Sequence, residues 1–216
     1  MTTPVRPLRP NSGSDARRTL AGGGQSGGLV RRTILLALLV VLAACQPEKF
    51  NAVDITGSAI GGNLALTDHT GRSRQLSDFR GKLVVVFFGF TQCPDVCPTT
   101  LSEMAEVRKK LGKDGERVQV LFVTVDPDRD TAAVLAEYVP AFDPSFLGLR
   151  GSAAETAEAA KEFKVFYQKV AGKTPTSYTM DHTAASFVFD QAGRIRLFVS
   201  YGMAADLIAA DLKRLL

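Results

Sequence analysis

The sequence predicts an α/β domain: a central mixed sheet flanked by helices on both faces. Three observations predict it. Two predominantly apolar runs rich in β-branched residues, Leu83–Phe88 and Val118–Val125, suit strands buried on both faces. Between them Leu101, Met104, Val107 and Leu111 recur at helical spacing. Towards the end, two strand-like runs joined by a tight turn precede a last apolar helical pattern.

Taken in order, Leu64 and Leu66 alternate with polar residues, Asp68–Gly71 reads as a turn, and a short second strand runs to Leu76. Asp78–Lys82 leads into the first buried strand. Pro98 suits a first helical turn, where its missing N–H costs nothing. Thr131–Val139 reads as a helix closed by Pro140. Ser152 with Glu155 forms a capping box that opens a helix through Phe163. Ala184–Phe189 and Ile195–Ser200 are strands joined by the turn Asp190–Gly193. Leu207, Ile208, Leu212 and Leu215 mark the final helix. βαβ units followed by a β-hairpin and a helix are the thioredoxin-like order.

A chain of 216 residues holds one domain plus a tail, and 45% hydrophobic with 22% charged residues is an ordinary globular composition. The net charge of +4 invites a nucleic-acid reading, which placement of the charges removes. Residues 1–44 hold six of the 26 Lys and Arg but one of the 22 acids, leaving 20 basic and 21 acidic residues elsewhere. No basic stripe with interleaved aromatics follows, so no nucleic-acid partner is expected.

Arg31 and Arg32 precede an unbroken apolar run from Ile34 to Ala44, about half of what a spanning helix needs. A basic flank, a short apolar stretch and small residues are the layout of a secretory signal. Leu42-Ala43-Ala44-Cys45 is similar to a bacterial lipoprotein cleavage box, in which the cysteine becomes a lipidated N-terminus. The expected organisation is therefore a disordered extension plus lipoprotein-type signal peptide (1–45), a linker (46–60) and the thioredoxin-like domain (61–216). A lipidated Cys45 is the expected membrane anchor. The expected location is the bacterial cell envelope, with the domain on the periplasmic or extracytoplasmic side.

The other two cysteines lie in Cys93-Pro94-Asp95-Val96-Cys97-Pro98, after a buried strand and before a helix. That is the carboxyl end of a central strand, where α/β folds place ligands. A helix N-terminus favours thiolate over thiol, and thiolate serves both metal binding and disulfide chemistry. The C-x-x-x-C spacing does not choose between them.

The histidines are His69 and His182. His69 falls in the Asp68–Gly71 turn and reads as an exposed turn residue. His182 lies in a loop at the mouth of the strand beginning near Ala184, which in a thioredoxin-like fold packs beside the cysteine loop. Two thiolates and one imidazole make a soft three-coordinate set that favours Cu(I) and also suits Cu(II). Structural zinc usually takes four ligands, and no fourth Cys or His is evident. Asp181 is a candidate to orient the imidazole. Met180 reads as packing rather than a ligand.

Cys93–Pro98, then Val125-Asp126-Pro127-Asp128-Arg129-Asp130-Thr131, then Tyr178 with Asp181-His182-Thr183 resemble the three signature blocks of the Sco/SenC family. The resemblance covers about residues 60–216. It implies a thioredoxin-like fold binding one copper ion, Cu(I) or Cu(II), through Cys93, Cys97 and His182. It also implies delivery to the copper-site subunit of cytochrome c oxidase or a similar cuproprotein, and a conformational or partner role for Asp126. The reading is a non-enzymatic metallochaperone. The alternative is a periplasmic thiol–disulfide oxidoreductase, with Cys93 and Cys97 as the redox pair acting on cysteines of a copper-site partner. A peroxidase-like thiol enzyme is less natural beside a second cysteine.

Overall fold

The computed structural model describes residues 49–174 and 177–216. The expected extension and signal, Cys45 included, and the first linker residues lie outside the described residues. Ten strands and four α-helices follow one another among the described residues. They are β1 (Val53–Asp54), β2 (Ala65–Asp68), β3 (Ser73–Gln75), β4 (Leu83–Gly89), α1 (Val96–Leu111), β5 (Val118–Thr124) and α2 (Ala132–Tyr138). Then come β6 (Leu147–Arg150), α3 (Ala153–Glu162), β7 (Tyr167–Ala171), β8 (Tyr178–His182), β9 (Ala185–Phe189), β10 (Ile195–Ser200) and α4 (Ala205–Leu215).

Eight strands form one mixed sheet in the order β1-β10-β9-β4-β5-β6-β2-β3. β4 and β5 pair in parallel from Leu83↔Val118 to Gly89↔Thr124, and every residue of both is buried. Helices cover both faces, so each of these strands is apolar on both sides. On one face Gly89 of β4 backs onto Cys97 of α1, Gly148 of β6 lies under Leu135 and Val139, and α4 packs on α1. On the other, Phe163 at the end of α3 packs on Phe88, Phe187 and Phe189 with ring centroids 5.1, 5.4 and 5.8 Å away. The expected thioredoxin-like architecture is present. α3 starts at the expected capping box, with Ser152 and Glu155 bonding each other's backbone N–H.

Three features differ from expectation. The stretch assigned to a linker contributes β1, which pairs with β10. Buried Asp211 on α4 causes this, because its carboxylate accepts the N–H groups of Asn51 (3.0 Å) and Ala52 (2.8 Å). β6 adds a strand at the far side of β5. β7 and β8 form a separate two-stranded hairpin outside the main sheet, so His182 ends a strand rather than lying in a loop. His69 is half-buried rather than exposed: its Nδ1 accepts the Gly148 N–H at 3.1 Å and ties its turn to β6.

Candidate metal centre

The cysteine loop leaves β4 at Gly89 and is anchored from below. The Thr91 N–H and hydroxyl both donate to the Asp130 carboxylate, at 3.1 and 2.6 Å, and the Thr124 hydroxyl donates to the same group. Asp130 is fully buried, and burial pushes its pKa up against the opposing pull of these hydrogen bonds. The loop turns through the Cys93 N–H bond to the Phe90 carbonyl at 3.3 Å. Asp95 occupies the N-cap position of α1 without a side-chain capping bond, and Cys97 is the second residue of the helix.

Cys97 is buried, while Cys93 is half-buried and lines an open cavity of about 300 Å³ shared with Asp95, Met180 and His182. The Cys97 N–H points at the Cys93 sulfur, 3.5 Å away, as a free donor of a helix N-terminus does. For Cys97 the expectation of an easily formed thiolate is reversed. Removal from water pushes its thiol well above the ordinary cysteine range, and the neighbouring Cys93 and Asp130 push the same way.

His182 arrives from the hairpin. Its Nε2 lies 3.6 Å from Cys97 Sγ, and its Nδ1 lies 3.0 Å from the Thr183 carbonyl. A carbonyl only accepts, so the proton belongs on Nδ1 and the Nε2 lone pair faces the sulfur. The edge-on rings of Phe87 and Phe90 hold the imidazole plane, with centroids 6.1 and 5.9 Å away. Burial lowers the His182 pKa, against the raising effects of the Thr183 carbonyl and the Asp181 charge, and the ring is neutral at pH 7. The orienting partner is therefore the Thr183 carbonyl, not Asp181, which is exposed. Met180 is buried in the core, the packing role expected of it.

The donor atoms of Cys93, Cys97 and His182 all lie within 4.8 Å of one another. One neutral imidazole nitrogen and two sulfurs converging on one point fit a single soft cation. A loop, a helix start and a hairpin supply these donors, and buried polar groups hold the first and third.

Sequence reasoning missed Arg129, Gln92 and Asp130. Arg129 sits between α2 and β5 and donates from Nη1 to Gln92 Oε1 (3.0 Å) and to the Tyr178 carbonyl (2.9 Å). Its Nε pairs with Asp126, whose other oxygen accepts the Tyr178 hydroxyl at 2.9 Å. The signal was the charged run Asp126–Asp130 between a buried strand and a helix, where solvated residues would be the ordinary finding.

The family described as SCO1/SenC matches residues 53–216. The SCO2 homologue of Bos taurus mitochondria is 38% identical over 160 residues, 73% of this chain and 60% of that protein's own length. A SCO2-like protein of Rickettsia felis is 36% identical over 163 residues, 73% of this chain and 80% of its own. Among solved structures, ScoI of Bradyrhizobium japonicum with copper bound is 43% identical, with a TM-score of 0.68, covering 73% of this chain and 100% of that one. Apo Sco1 of Thermus thermophilus is 45% identical, with a TM-score of 0.70, covering 78% and 98%. The match runs from the first strand to the last residue and takes in all three converging donors, and on that ground the chain belongs to the SCO1/SenC family.

Proposed function

We propose that this chain is a copper metallochaperone. It takes one copper ion as cargo on Cys93, Cys97 and His182 and delivers it to the dinuclear copper site of cytochrome c oxidase or of a similar cuproprotein. The observation that carries the reading is the convergence of two sulfurs and the Nε2 lone pair within 4.8 Å. The copper bound to the Bradyrhizobium relative supports it. Three ligands leave the cation under-coordinated, and the cavity beside Cys93 gives an acceptor's ligands a way in. Such a site exchanges its cargo without catalysing a reaction.

Lipidated Cys45 tethers the domain to a membrane of the bacterial cell envelope, on its periplasmic or extracytoplasmic side. The leader's apolar run and small residues before the cysteine support this. Among the described residues no helix is long and apolar enough to cross a membrane.

The test uses reduced, oxygen-free full-length chain, native and His182→Ala, loaded with copper and dialysed against a competing chelator. Native chain is expected to retain one copper and, on oxidation, to show a thiolate-to-copper(II) absorption band; His182→Ala holds copper much more weakly and loses the band. Copper retention indifferent to His182 would defeat the reading. One observation favours a second role in thiol–disulfide exchange with the acceptor's cysteines: the thiols are unpaired, and Cys93 faces the open cavity.

A further inference from the structure

Among the described residues, the hairpin that carries His182 has no strand pairing with the main sheet; there β7 and β8 pair only with each other. Its root is closed by the Thr183 N–H bond to the Phe166 carbonyl at 2.9 Å. The placement of His182 against Cys97 therefore depends on side chains that reach the hairpin from elsewhere. One side chain reaches both ligand-bearing segments at once. Arg129 donates to Gln92, the neighbour of Cys93, and to the carbonyl of Tyr178, on the same strand as His182. Its guanidinium lies 3.6 Å from the Tyr178 ring centroid, and Lys169 Nζ lies 3.7 Å from the same centroid. Asp126 completes the array by holding both the guanidinium and the Tyr178 hydroxyl.

We propose that Arg129 is a positioning residue. It fixes the His182 hairpin in register with the cysteine loop, using Asp126 as a rigid reference on the core, so that the imidazole and the two sulfurs meet in one place. The inference rests on the copper reading above. The physical case is the geometry of the group. A planar guanidinium offers five donors in fixed directions and stacks on an aromatic face, so it can bind three segments at once. A lysine offers a compact charge and cannot keep the fork and the stack together. Asp126 is almost wholly buried, and the pair is desolvated, so it is held tightly instead of being screened as a surface pair is.

A positioning role and a merely structural one make different demands. If Arg129 acts through His182, its effect on copper must vanish once His182 is gone. The experiment is a double-mutant cycle on the full chain: native, Arg129→Lys, His182→Ala and the double variant, each titrated with Cu(I) against a competing chelator and examined as Cu(II) by electron paramagnetic resonance. Expected is a loss of roughly ten- to a hundredfold in copper affinity for Arg129→Lys, the scale of supports behind a metal ligand. The imidazole nitrogen coupling weakens in parallel, and Arg129→Lys has no further effect on affinity in the His182→Ala background. An equal loss in both backgrounds, or none in the native one, overturns the proposal. An affinity indifferent to His182 overturns the copper reading, and the positioning role with it. Tyr178→Phe, which removes only the hydroxyl bond to Asp126, is the second variant if Arg129→Lys does not fold. It is expected to show the same pattern, smaller in size, and the same additivity would refute it.

Discussion

Gly89 ends β4 directly beneath Cys97, and replacing it by alanine tests whether packing sets the proposed site. An added Cβ would lie 2.8 Å from Cys97 Sγ, 2.8 Å from Phe122 Cε2 and 3.1 Å from Phe87 Cε1. Favourable separations are about 3.5–4.0 Å, so Cys97 Sγ and Phe122 must retreat by roughly 0.7 Å or more and Phe87 by about 0.4 Å or more. None has room: Cys97 and Phe122 are 0% exposed and Phe87 is 1% exposed. Overpacking of this kind costs about 1–3 kcal/mol, and with a urea dependence of about 1–3 kcal/mol per molar the unfolding midpoint falls by about 1 M. The same displacement moves Cys97 Sγ by several times the roughly 0.2 Å that a metal–ligand bond tolerates. Copper affinity is therefore expected to fall at least about tenfold, equivalent to about 1.4 kcal/mol. Gly62→Ala is the control, since its added Cβ meets only Glu162 Oε2 at 3.5 Å, and its stability is expected to stay within about 0.5 kcal/mol. Both are read by urea unfolding followed at 222 nm and by chelator competition. A Gly89→Ala chain that unfolds at the native midpoint and binds copper as tightly as native would refute the reasoning.

Two further outcomes are expected. Burial pushes the Asp68 carboxyl up, but hydrogen bonds from Thr70, Arg74 and Arg72 outweigh it and hold the pKa down at about 2. A carboxyl depressed in the folded state stabilises above its unfolded pKa of about 3.9, and that stability is lost as pH falls towards about 2. Asp68→Asn should thus lose on the order of 1–3 kcal/mol at pH 7 and approach native stability between pH 4 and 2; a pH-independent gap in urea unfolding counts against this. For the anchor, native chain expressed in bacteria with labelled palmitate should carry label and sediment with membranes, and Cys45→Ala should carry none; unlabelled native chain would exclude the lipid tether.

What the sequence made legible follows from how each part is held. β4 and β5 are buried on both faces, so their sequences are almost wholly apolar, with Gln119 and Thr124 the polar residues of β5, and they stand out. α3 announces itself through Ser152 and Glu155, a local chemistry that needs no tertiary context. β1 carries no such mark, because it is held by pairing with β10 and by the grip of Asp211, about 160 residues away, on Asn51 and Ala52 just before it. β7 is exposed or half-buried throughout and held by pairing with β8, so no hydrophobic period betrays it. The ligands were legible because cysteine and histidine are scarce here. Their supports were not, since Arg129 and Asp130 lie in a charged run of a kind that is usually solvated. The thiolate expectation failed for Cys97 because the helix N-terminus can be read from sequence and burial cannot.

That failure bears on the choice between cargo binding and redox catalysis. An attacking thiol works as a thiolate, and low-pKa cysteines sit in exposed, electropositive places. Cys97 has the opposite surroundings: buried against Gly89 and Phe122, with a neutral imidazole against its sulfur and its proton held by desolvation. A bound cation would remove the obstacle, because its charge would compensate the thiolate that burial disfavours, and Nε2 already presents a lone pair to the same point. On the copper reading proposed above, Cys97 would give up its proton only as metal binds. In a redox step the attacking sulfur must be Cys93, on the open side and facing the helix N–H, with Cys97 left to resolve. Placement of His182 against the buried sulfur suits holding a metal better than activating Cys93, which supports the cargo-binding reading proposed above.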